Sequence, residues 1–174
     1  MTKAINYTEK FETTIKEIDR AITEKIVELH DDEFQLPKAT LFGFDYIHGE
    51  IPWCKVVAED SDIYEMLADM GNVAALVDSG FKSFAVSTCG WAAPIDKDGD
   101  YDDDVAPSQH PERVRVRLVT LLHNGKMGSA IHFKGKEEIT YDTGNAQGSL
   151  KTALEIFYDF VKAMSTAKTV MQLP

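Results

Sequence analysis

The sequence predicts an α+β domain of roughly five, mostly antiparallel strands covered by N-terminal, central and C-terminal helices. Three observations carry that expectation. Apolar residues recur at helical spacing in three separate stretches. The runs between them are rich in β-branched and aromatic residues. Neighbouring strand-like runs are joined by turns too short for anything but antiparallel pairing. A helix with one apolar stripe must bury it, and a sheet supplies the face.

Taken in order, Phe11, Ile15, Ile18, Ile22, Ile26 and Leu29 form the stripe of an amphipathic helix from about residue 8 to His30. Thr8 stands where an N-cap oxygen would serve, and Pro37 marks a stop. ATLFGFDYIHG and PWCKVVA, separated by a turn containing Gly49 and Pro52, predict a hairpin. The period then turns helical, with Ile63, Leu67, Met70, Ala74 and Val77 on one face. Asp60, Ser61 and Asp62 offer N-caps, and Glu65 follows Asp62 at capping-box spacing. Gly71 is expected to split this stretch into two short helices, and Gly80 to end it.

SFAVSTCGWAAP predicts a strand closed by Pro94. RVRVRLVTLLH is the clearest strand: Val114, Val116, Leu118 and Leu122 share one face, while Arg113, Arg115 and Arg117 begin the other. Asn124-Gly125 predicts a tight hairpin into MGSAIHF, and a short strand is expected in EEITYD. Leu150, Leu154, Phe157, Val161 and Met164 mark the C-terminal helix, with residues 167–174 expected as a loose tail.

With no repeat or linker, residues 1–174 read as a single domain. A chain of this length encloses enough core to fold without a disulfide or a metal. Cys54 and Cys89 lack any framework spacing, which suits free thiols in a reducing compartment. The N-terminus lacks the apolar core of a secretory signal, and no apolar run reaches the roughly 18 residues of a membrane span. The expectation is a cytoplasmic protein with no membrane association. A net charge of −11 repels polyanions, and only Arg113–Arg117 clusters cations, which argues against nucleic acid as a partner.

Four groups of residues could carry chemistry. DKDGDYDDD, residues 96–104, begins like a calcium loop, with Asp96, Asp98 and Asp100 at the first, third and fifth ligand positions. Tyr101 then stands where the loop needs glycine, and Pro107 where it needs a bidentate glutamate. The stretch reads as a solvated spacer, with weak cation binding as its only functional alternative. Arg113, Arg115 and Arg117 would project from one strand face as an anion site or as partners of nearby carboxylates. The abundance of acidic residues favours carboxylate pairing. Cys89, beside Gly90 at a strand end, could act as a nucleophile if His110 served as its base, although free cysteines are usually buried. No two histidines stand at metal-ligand spacing and no Gly-rich phosphate loop is present, so no cofactor is expected.

The segment STCGWAAPID…APSQHPERVRVRLVTLLHNGKMGSAIHF resembles a family of uncharacterised small bacterial and phage proteins. Their pattern is GWAAP, an acidic or glycine-containing spacer, PSxHPxRRRVRL and then GxxSxxxF. The resemblance covers about residues 83–133. Here the arginine run is diluted to ERVRVRL. The resemblance implies no activity. It does imply that Gly90, Trp91, Pro94, Pro107, Ser108, His110, Pro111 and Arg113 form the recurrent part, with the aspartates in the spacer.

These observations point to a non-catalytic binding or interaction domain, with a homodimer or a protein partner as its assembly. The competing reading is a small-molecule binder or enzyme where TCGWAAP meets PSQHPER. Trp91 would supply a stacking wall, His110 an acid or base, and Arg113 and Arg115 an anion clamp. That reading requires Trp91, His110 and Arg113 to share one concavity.

Overall fold

A six-stranded antiparallel sheet separates two helical layers in the computed structural model, which describes residues 7–94, 105–144 and 148–172. The elements are α1 (Tyr7–His30), β1 (Ala39–Phe44), β2 (Cys54–Asp60), α2 (Ile63–Ala68), α3 (Met70–Asp78), β3 (Ser83–Ala92), β4 (Val114–His123), β5 (Lys126–Phe133), β6 (Thr140–Asp142) and α4 (Ser149–Met171). The strand order is β2-β1-β3-β4-β5-β6. The class is the α+β arrangement the sequence predicts, with six strands where about five are expected.

Two apolar layers result from strand alternation. Ile15, Ile18, Ile22 and Ile26 of α1 pack on Phe42, Phe44, Ala85, Val119 and Leu121. On the other face Leu76 of α3 and Leu154, Phe157 and Val161 of α4 pack on Leu41, Phe84, Val86 and Leu122. Because helices cover both faces, all six β1 residues are buried, which is why that strand lacks polar alternation. Gly43 is required there: a Cβ would collide with the Phe81 ring and Leu76. The Asn124-Gly125 turn has positive φ at both residues, 51° and 74°, as a two-residue hairpin demands.

Three boundaries differ from expectation. Helix α1 includes Tyr7, the first described residue, so Thr8 lies within the helix rather than at its cap. The central helix breaks at Asp69, not Gly71. Asp69 adopts an extended ψ of 110°, closes α2 through its backbone N–H on Glu65, and accepts from Gly71 N through its carboxylate. One aspartate thus ends one helix and starts the next. Residues 167–171, expected as a loose tail, continue α4, where Lys168 pairs with Asp78 of α3 at 3.1 Å. Among the described residues no helix is long and apolar enough to cross a membrane.

Candidate functional site

The β3–β4 register sets Cys89 opposite Arg117 and Trp91 opposite Arg115. Val119 and Leu121 pack under α1. Alternation therefore puts Arg117, Arg115 and Arg113 on that same face, running outward from the core. Helix α1 roofs only the inner part of this row. Beyond His30 the roof passes to the segment from Asp31 to Lys38.

Arg117 is fully buried. Its Nε donates to Glu33 at 2.9 Å, and its Nη2 donates to Thr23 at 2.5 Å and to Asp19 at 3.4 Å. His132, opposite Arg117 on β5, reaches Asp19 through Nε2 at 2.8 Å and Glu33 through Nδ1 at 3.0 Å. Two carboxylates against one guanidinium leave a negative charge, which a protonated imidazole neutralises. Nη2 of Arg117 also lies 2.9 Å from His132 Nε2, a like-charge contact that opposes this protonation. Nη1 of Arg117 is buried without a hydrogen-bond partner among the described residues.

The hydrogen bond from His132 holds the Glu33 carboxyl below its usual 4.5; burial opposes this and Arg117 adds to it. Burial pushes His132 down, but the hydrogen bonds to Asp19 and Glu33 and the charge of Asp19 together raise it above its usual 6.5. The raised His132 contributes stability that is fully present below pH 6.5 and is lost as pH rises through its folded value. The lowered Glu33 contributes stability that is present above pH 4.5 and is lost as pH falls through its folded value. Urea denaturation across pH should show both limbs. Each limb can be no steeper than about 1.4 kcal/mol per pH unit for one proton. His132→Gln should flatten the alkaline limb; an unchanged limb in that variant would refute the assignment.

Farther out on the same row lies a cleft of about 640 Å³. One wall is Phe34, Gln35, Leu36 and Pro37; the other is Trp91, Arg113, Val114, Arg115 and Lys134. Trp91 is 40% exposed. The Arg113 and Arg115 guanidinium carbons lie 5.1 and 5.2 Å from its ring centroid, within cation–π range. Arg115 Nε donates to the Phe34 carbonyl at 3.2 Å, tying the two walls together. Arg113 donates to the His110 carbonyl at 3.2 Å. Among the described residues neither Arg113 nor Arg115 pairs with a carboxylate, whereas Lys134 lies 3.6 Å from Asp32.

The structure therefore brings Trp91, Arg113 and Arg115 together and leaves His110 outside the cleft lining. The His110 ring accepts from Glu112 N at 3.1 Å beside the 3₁₀ turn Pro107–Gln109. Cys89 sits beneath the roofing segment, its thiol donating to the Glu33 carbonyl at 3.5 Å and raised in pKa by burial. Among the described residues no hydrogen bond joins Cys89 to His110. Asp96, Asp98 and Asp100 lie outside the described residues.

Sequence reasoning missed Asp19, Glu33 and His132, and the Phe34–Pro37 wall. A faint signal existed for two polar members: Asp19 and Thr23 stand at helical spacing immediately beside Ile18 and Ile22, on the edge of the α1 stripe. Nothing local marks Glu33 or His132, which lie 99 residues apart and meet only through the fold. Searches with the chain match no protein-family model, no curated protein and no solved structure.

Proposed function

We propose that the protein acts by non-catalytic binding, and that the Trp91 cleft takes a small ligand joining an anionic group to a flat apolar portion. The supporting observation is that Arg113 and Arg115, without carboxylate partners among the described residues, converge on a half-exposed indole in a protein of net charge −11. Two guanidinium groups offer forked donors to a carboxylate or phosphate. The indole and Phe34 offer flat apolar surface beside them. The half-buried Cys89 thiol, raised by desolvation, and the His110 ring held by Glu112 favour binding over catalysis. The two free thiols favour a reducing, cytoplasmic setting.

A Trp53→Phe background makes Trp91 the sole indole reporter. Titration with planar aromatic carboxylates and with nucleoside monophosphates should give saturable fluorescence quenching by at least one class. Arg115→Gln should weaken that binding about tenfold, the scale of one charge-assisted contact. A response that never saturates, or one indifferent to both Arg115→Gln and Arg113→Gln, would rule the cleft out as the binding site.

A further inference from the structure

Helix α4 carries two apolar stripes, and the sheet buries only one. The inner stripe is Leu154, Phe157 and Val161. The second is Ala153, Ile156, Phe160, Ala163, Ala167 and Val170, with successive steps of three, four, three, four and three. That is the spacing of a coiled-coil seam. Ile156, Phe160 and Val170 face outward, 52%, 46% and 62% exposed, while Ala153 is half-buried at the inner edge of the stripe, where it packs against the core. The stripe is about 25 Å long at the helical rise. Such a seam is designed to meet another helix, and its sizes indicate which one.

Antiparallel pairing of two α4 helices about a two-fold axis between Phe160 and Ala163 sets Phe160 against Ala163, Ile156 against Ala167, and Val170 against Ala153. Every layer then joins one large residue to one alanine, so bulk fills space throughout. A parallel pair would instead place Phe160 on Phe160 and Ala163 on Ala163, alternating crowded and empty layers. Large facing small in both directions is the self-complementarity that a two-fold contact requires. We infer that the protein forms an antiparallel homodimer through the outer stripe of α4, residues Ala153 to Val170.

Sedimentation of the full chain over a broad concentration range tests this. The expected species is a dimer of twice 19.4 kDa. Ala163→Phe, which opposes Phe160 with a second ring, should raise the dissociation constant at least about tenfold. The size-swapped double variant Phe160→Ala/Ala163→Phe should restore it to within about threefold of the parent. Both positions are exposed, and circular dichroism verifies that each variant is folded. A monomer at every concentration overturns the proposal, including the case where the seam serves a different protein. So does a dimer indifferent to Ala163→Phe, while a loss that the size swap fails to rescue overturns the antiparallel register.

Discussion

Arg117→Ala should destabilise the protein by about 3–5 kcal/mol, the cost of breaking a buried ion pair by removing one partner. Arg117 is fully enclosed, and its guanidinium connects α1, the roofing segment and β5 through Asp19, Thr23, Glu33 and His132. Truncation would leave the Asp19 carboxylate buried beside Glu33 with only His132 to balance two negative charges. For a chain of this size each 1 kcal/mol is worth roughly 2–4 °C in Tm, so thermal melting should shift by roughly 6–20 °C. Arg117→Lys keeps the charge but loses the fork that serves Glu33 and Asp19 together, and should fall between the parent and the alanine variant. A urea-derived loss below about 1 kcal/mol for Arg117→Ala would mean that the network carries little net stability.

On the opposite face of the sheet, Phe157→Ala should cost about 3–5 kcal/mol, the range for a buried aromatic truncated to a methyl. Phe157 is fully buried and meets Phe84 of β3 edge-on, at a centroid separation of 4.9 Å. It sits among Leu122, Leu154 and Val161, where the backbones of β3 and α4 hold the space open. Its removal loses aromatic surface and leaves a cavity that the sheet cannot close. The exposed Trp53 is a control: Trp53→Ala should stay within about 0.5 kcal/mol of the parent. Equal effects at the two positions, measured by urea denaturation, would place the core elsewhere.

Much of the fold was legible because its signals are local. The stripe from Phe11 to Ile26 announces α1, and the alternation in RVRVRLVTLLH announces β4. Asn124-Gly125 specifies its own turn through positive φ. The helix break was misplaced by two residues because a capping aspartate competes with a permissive glycine. Asp69 prevails because its side chain satisfies a helix N-terminus. Residues 167–171 place only Ala167, Val170 and Met171 as apolar positions, all exposed, so no buried stripe marks the end of α4. The Lys168–Asp78 pair at this exposed end of α4 is made to a helix distant in sequence.

The candidate site divides along the same line. Trp91, Arg113 and Arg115 were marked by composition and alternation, both properties of neighbouring residues. Their expected companion His110 follows the turn Pro107–Gln109 and lies outside the cleft lining. Residue chemistry and period alone determined the α+β class, the helical stripes, and the single face shared by the three arginines. Tertiary structure decided the fate of each arginine along that face. Arg117 lies where α1 closes the roof, so burial demands carboxylates around it. Arg113 and Arg115 lie beyond the end of α1, where the roofing segment leaves room for an indole and a cleft. The difference is depth beneath the helix, which depends on where α1 crosses the sheet and leaves no trace in the spacing of the residues themselves.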